Sequence, residues 1–196
     1  MNSRHILHII GAGGHGRAVA EAALSSGWKT IRFIDDSYHD GKQVDGWPVI
    51  GTTDSLSVLL KPADAAIVAI GNQQARESLV RRLSDLHVTL ATIIHPRAYV
   101  SPSACLGTGT AIMAGAIVGA HGKIGQGCIV NANATVDHDA ILHDFAHLGV
   151  GTQLAGGVVV GAMAWLQAGC TAGYHVVVKD GLIIPPGTTL LPGDHS

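Results

Sequence analysis

Residues 136–160 read VDHDAILHDFAHLGVGTQLAGGVVV, and an aliphatic side chain returns at every sixth place: Val136, Leu142, Leu148, Leu154, Val160. The spacing runs unbroken from Val100 to Leu190, sixteen consecutive positions of which Ala172 is the weakest. Four places after the aliphatic residue, small side chains dominate, as at Ala104, Thr110, Ala116, Cys128, Ala134, Ala140, Ala146 and Cys170. A period of six suits neither a helix nor a simple strand, whose side chains repeat at 3.6 and 2. It suits a β-solenoid in which each hexapeptide makes one short strand and one corner. The aliphatic residue then fills the axis and the small residue packs inward. Glycine often follows the aliphatic residue (Gly107, Gly119, Gly125, Gly149, Gly161, Gly173) and reads as a means of turning the chain. With three hexads per coil, residues eighteen apart stack, and the repeat makes roughly five coils.

Outward from the repeat, the composition changes near residue 95. Residues 1–95 carry 18 of the 26 charged residues and only 9 of the 26 glycines. The expected domains are therefore 1–95 and 96–196, joined at His95-Pro96. The first half alternates apolar runs (Ile6–Ile10, Thr30–Ile34, Ala65–Ile70, Val88–Ile94) with helical spacing at Arg17–Ser26, Thr53–Leu60 and Gln73–Leu86. That pattern predicts an α/β, Rossmann-like half with a small parallel sheet.

Composition removes several function classes. Twelve Lys+Arg against fourteen Asp+Glu, a formal net charge of −2, leaves no basic surplus for nucleic acid. Leu148–Val178 carries no formal charge, yet Gln153, Gln167, His175 and its glycines argue against a membrane span. The opening MNSRHILHII is broken too soon by His8 and Gly11 for a signal peptide, so a cytoplasmic protein is expected. Cys105, Cys128 and Cys170 form no C-x-x-C pair and read as buried small apolar residues, with no metal expected.

Two segments carry chemistry. Gly11, Gly13 and Gly16 satisfy G-x-G-x-x-G between a strand and a helix, a loop that presents backbone N–H groups to phosphate. Asp35, about twenty residues further on, is placed to hold a ribose hydroxyl, as in dinucleotide-binding proteins. A half of only four strands, without a second mononucleotide unit, fits NAD poorly. In the solenoid, His138 lies between Asp137 and Asp139, an imidazole able to take a proton near neutrality. Either carboxylate could orient it. Gly156 stands eighteen residues on and should lie one coil above on the same face.

The hexads resemble the left-handed parallel β-helix of the hexapeptide-repeat acyltransferases. The whole chain is similar to the nucleotide-aminosugar and sialic-acid acetyltransferases of the PglD/NeuD-like family. The matching stretches are IIGAGGHG, FIDD, AIGNQQAR, IIHPRAYVSPSA and NANATVDHDAILHDFAHLGVGTQLAGG, which spans Asn131–Gly157. The closing VVVKDGLIIPPGTTLLPGDHS lacks the G-x-P-A-K-like tail usual in such proteins.

The resemblance implies an acetyl-CoA-dependent N-acetyltransferase, a homotrimer, acting on the amine of a nucleotide-linked 4-amino-deoxysugar without a metal. It makes His138 the general base and Asp139 its orienting carboxylate. The Gly156 N–H becomes the oxyanion donor. His147 becomes an acetyl or substrate contact, reached across a trimer groove. It gives the nucleotide-sugar diphosphate to Gly11, Gly13 and Gly14, with His15 facing sugar or phosphate, Asp35 and Asp36 the nucleoside, and Asn72 lining the pocket. His121, His143 and His175 have no such support and read as loop or surface residues. Two other readings stay open: O-acetylation of sialic acid or another sugar hydroxyl, and a non-catalytic solenoid that binds nucleotide only.

Overall fold

The computed structural model describes residues 6–193, which form two compact units dividing between Ile93 and Ile94. The first begins with β1 (Ile6–Ile10), α1 (Gly14–Ser25) and β2 (Thr30–Ile34). The hairpin β3 (Gln43–Val44) and β4 (Trp47–Pro48) precedes a short 3-10 turn (Thr53–Ser55) and α2 (Leu56–Leu59). The unit closes with β5 (Ala65–Val68), α3 (Gln73–Asp85) and β6 (Thr89–Leu90). Four strands pair in the order β2-β1-β5-β6, all parallel, with His8 opposite Arg32 on one side and Ala66 on the other. Leu7, Ile9, Ile10, Phe33 and Ile67 of the sheet are buried with Val19, Ala20 and Ala23 of α1 and Val80 and Leu83 of α3. The apolar runs and the helical spacing thus fall where the sequence places them.

Two local features differ from the sequence reading. The Asp45-Gly46 dipeptide, both residues at positive φ (49° and 83°), closes the hairpin with Val44 opposite Trp47. An Asp-Gly pair is a strong two-residue hairpin signal, and here it is flanked by strands too short to announce themselves. The run Val88–Ile94 is two elements: Thr89–Leu90 completes the first sheet, while Ile93–Ile94 is the first strand of the solenoid. Ile94 stands one hexad before Val100, so the repeat starts earlier than the spacing from Val100 indicates.

The second unit is a parallel β-solenoid of about five turns. Its described strands, β7 (Ile93–Ile94) through β23 (Thr189–Leu190), are two residues each and stack into three sheets of six, six and five strands. Partners lie eighteen residues apart, as in Ile117, Thr135 and Gln153. The axis holds the sixth-place residues, with Ile112, Val118, Val130, Val136, Leu148, Val160 and Leu166 fully buried. Ala116, Cys128, Ala134, Ala140, Ala146, Ala164 and Cys170 are buried just as completely at the inward corner position, which Val158 and Val176 fill in later coils. Thr110 and Thr152 share that position and are satisfied by donating to the Gly125 and Gln167 carbonyls at 3.0 and 3.3 Å. Cys105 departs from expectation: it lies on an outer strand position and is exposed.

The glycines after the aliphatic residue do not turn the chain. They let coils touch: a Cβ at Gly107 would lie 2.4 Å from the Gly125 carbonyl carbon, and one at Gly149 2.6 Å from the Ala168 nitrogen. The turning is done two places later, where every sixth residue from Gly109 to Gly193 has positive φ. Glycine fills most of these places, but His121, Asn133, Asp139, Phe145, Met163 and His175 also adopt the left-handed conformation. No helix among the described residues is long and apolar enough to cross a membrane.

Candidate active site

One corner of the solenoid gathers the chemistry. His138 sits in the turn between β14 (Thr135–Val136) and β15 (Ile141–Leu142). Its two acidic neighbours divide the work there. Asp137 Oδ1 accepts the His138 backbone N–H at 2.7 Å, pinning the turn. Asp139, at φ 59°, brings its Oδ2 to 2.8 Å from His138 Nδ1. A carboxylate only accepts, so Nδ1 carries the proton and Nε2 of the neutral ring presents its lone pair. The hydrogen bond to Asp139 and the nearby Asp137 charge raise the His138 pKa above 6.5, and the same hydrogen bond lowers that of Asp139. His121 and Lys123, one coil below, add to the lowering at Asp139.

Gly156 lies against this ring as the stacking predicts. A Cβ there would stand 2.5 Å from both Cε1 and Nε2 of His138, so only glycine leaves the imidazole its place. The Gly156 N–H has no acceptor among the described residues. At four equivalent places a side chain caps this N–H: Asp144 on Gln126, Asn131 on Ala132, Asp137 on His138 and Asp180 on Ala162. A ring lone pair and a backbone N–H without an acceptor thus lie close together, the kind of donor and acceptor that acyl transfer through a tetrahedral oxyanion needs.

His147 is not part of that corner. It lies on the six-stranded sheet that begins with β7, buried, its ring stacked on Trp165 with centroids 5.2 Å apart and planes 7° from parallel. His175 is a residue the sequence reading set aside. Its ring lies over Gly157, where a Cβ would meet Nδ1 at 2.3 Å, and its backbone N–H donates to the Gly156 carbonyl at 3.2 Å. The clue in the sequence was its place thirty-seven residues after His138, one step off two full coils.

The first unit holds the other candidate site, at the carboxyl ends of β1 and β2. Gly11 is left-handed (φ 101°), and its missing Cβ makes room for Ile70 and the Ala69 carbonyl. Gly16 packs under Gly11, where a Cβ would stand 2.0 Å from the Gly11 oxygen. Gly13 and Gly14 face open space, and Gly13 caps α1 without a side chain, leaving the first-turn N–H groups outward. Asp35 ties this loop down, accepting from Ala12 N at 2.8 Å and from Ser37 N and Oγ. Burial pushes Asp35 upward, but the Ser37 and Ala12 hydrogen bonds and the Lys42 charge outweigh it and leave the pKa lowered. Asp36 accepts from Thr53 N, and Asn72 caps α3 by accepting from Ala75 N.

His15 is pressed against a buried cation. Arg76 is fully buried and donates to the Ile70 and Gly71 carbonyls at 2.8 and 2.9 Å. Burial, then the Arg76 charge, lowers the His15 pKa to about 4, and its Nε2 has no hydrogen-bond partner among the described residues. No group of three or more His, Cys, Asp or Glu among the described residues is placed to hold a metal ion.

A hexapeptide solenoid with a carboxylate-oriented histidine at one corner defines a hexapeptide-repeat acyltransferase, here carrying a glycine-loop α/β unit in front. Comparison with known proteins narrows the class. Residues 6–83 match the family described as the PglD N-terminal domain. A structure of a histidine-to-asparagine variant of perosamine N-acetyltransferase from Caulobacter crescentus, in complex with CoA and GDP-perosamine, is 36% identical with a TM-score of 0.82. That likeness covers 93% of this chain and 90% of the other. The acetyltransferase domain of PglB from Neisseria gonorrhoeae, in complex with acetyl coenzyme A, is 38% identical over 95% of each chain, with a TM-score of 0.74. UDP-N-acetylbacillosamine N-acetyltransferase of Bacillus subtilis is 34% identical over 110 residues, which cover 54% of this chain and half of that curated relative. The chain belongs to this PglD-like family of hexapeptide-repeat sugar acetyltransferases.

Proposed function

We propose that the protein transfers the acetyl group of acetyl-CoA to the amine of a nucleotide-linked 4-amino-deoxysugar. The observation that carries this reading is the Asp139–His138–Gly156 arrangement. The acceptor's amine nitrogen attacks the thioester carbonyl carbon, and the carbonyl electron pair moves onto oxygen. His138 Nε2 removes the amine proton, with the imidazolium steadied by Asp139. The Gly156 N–H holds the oxyanion. On collapse the carbon–sulfur bond breaks and the electron pair leaves on the CoA sulfur. No acyl-enzyme is required, and Cys128, fully buried with Sγ on the His143 carbonyl at 3.2 Å, is not a nucleophile.

The first unit takes the acceptor. The α1 N-terminus with Gly11, Gly13 and Gly14 receives the diphosphate. His15, neutral at physiological pH, faces the sugar or phosphate. Asp36 keeps one carboxylate oxygen for the nucleoside, Asp35 shapes the loop, and Asn72 lines the pocket from the start of α3. His147 contacts donor or acceptor across the groove of a homotrimer, and the protein works in the cytoplasm. The relatives bound to GDP-perosamine and to acetyl coenzyme A support the pairing of acceptor and donor.

The test is release of CoA thiol with UDP-, dTDP- and GDP-linked 4-amino sugars and with free sialic acid as acceptors. Turnover confined to one amino-sugar nucleotide is expected. Turnover with sialic acid alone would replace the N-acetyl reading with the O-acetyl one.

A further inference from the structure

The corner that carries His138 holds a second imidazole with no assigned role. Three coils stack there as Asp137-His138-Asp139, Ala155-Gly156-Gly157 and Gly173-Tyr174-His175. The middle coil is bare, and the rings of its neighbours converge on it from opposite sides. His138 closes on Gly156 from below, with Nε2 2.5 Å from the Cβ position, and His175 on Gly157 from above, with Nδ1 2.3 Å from the Cβ position. Consecutive Cα atoms are about 3.8 Å apart, so the two rings lie within roughly 10 Å of each other across a glycine floor.

His175 is exposed, yet its backbone is fixed by the left-handed φ of 60° and the N–H bond to Gly156. Among the described residues its ring nitrogens make no hydrogen bond; Nδ1 lies against Gly157, and Nε2 is the nitrogen left to meet a ligand. The left-handed φ is common to this corner of every coil; what sets His175 apart is that its ring lies over the glycine floor next to His138.

We propose that His175 is a further catalytic residue, which donates a ring N–H hydrogen bond to the thioester sulfur as the carbon–sulfur bond breaks. This rests on the reading of His138 as base and Gly156 as oxyanion donor. With the oxygen on the Gly156 N–H and the amine arriving beside His138, the methyl group and the sulfur are the two substituents left to point away from the base, and of these only sulfur gains charge that an N–H can meet. The coil on that side is the one that carries His175. The carbon–nitrogen bond forms, the amine proton goes to His138, and the pair leaving on sulfur is met by the His175 N–H. No proton transfer from His175 is needed, since a thiolate bearing a hydrogen bond is a competent leaving group.

The experiment compares wild type, His175→Ala, His175→Gln and His138→Ala in steady-state kinetics with acetyl-CoA, alongside melting temperature. His175→Ala should lower kcat about tenfold or more while KM for acetyl-CoA changes less than about threefold, the signature of an interaction made in the transition state. His175→Gln, which keeps an N–H donor, should recover most of the loss. An unchanged kcat in His175→Ala, or a loss that Gln does not recover and that tracks a lowered melting temperature, overturns the proposal. Full activity in His138→Ala would instead overturn the base reading beneath it, whatever His175→Ala does.

Discussion

At the scale of single residues, the account turns on which acid serves the imidazole. Asp137 is spent on the backbone of its own turn, and Asp139 alone reaches Nδ1. That contact raises the His138 pKa, so the base is protonated, and idle, to a higher pH than a free histidine. Replacing Asp139 with Asn removes the stabilisation of the imidazolium. The acid limb of the kcat/KM profile should therefore move to lower pH, while the plateau falls about tenfold or more as a weaker, less well oriented base takes over. Asp137→Asn should move the limb the same way but by less, since only its charge acts on the ring. His15 shows the opposite sign: burial and Arg76 hold its pKa near 4. In an NMR titration its ring protons should stay flat from pH 8 to 5, where those of His138 titrate above 6.5. Gly156→Ala puts a methyl group into the His138 ring and should abolish turnover, with kcat down about a hundredfold or more.

At the scale of elements, coil stacking transmits small changes into the catalytic turn. A Cβ at Gly119 would stand 2.8 Å from the His138 nitrogen, backbone against backbone, with no flexible side chain to give way. Gly119→Ala should thus cost about 1–3 kcal/mol of stability and depress kcat as well, measured by thermal melting and turnover. Ala140→Leu overfills the narrow axis and should cost about the same, through packing alone. The repeat made these positions legible: a side chain every sixth residue fixes what points inward, and eighteen-residue stacking alone puts Gly156 beside His138. The function of the glycines after the aliphatic residue was not legible, because composition cannot separate a glycine that turns from one that admits a neighbouring coil. The D-G hairpin was missed for a related reason, since two-residue strands leave no periodicity to read. Asp139 over Asp137 depends on one left-handed φ, which spacing does not encode.

At the scale of the whole molecule, the proposal gives two separable binding tasks to two units with separate cores. The first should bind the acceptor nucleotide through its loop, and a ligand of the folded state alone raises stability with concentration. The matching nucleoside diphosphate should raise the melting temperature of wild type. Gly13→Asp, which sets a negative charge at the open phosphate position without a steric clash, should abolish that rise. Sedimentation equilibrium should return three times the 20.1 kDa chain mass if His147 works across a trimer groove.

The central claim is direct acetyl transfer at the His138 corner, and CoA-thiol release with wild type and His138→Ala side by side tests it most directly. The account predicts rapid release with one nucleotide-linked amino sugar, lost in the variant although its fold and melting temperature persist. Equal release by the two proteins would contradict it.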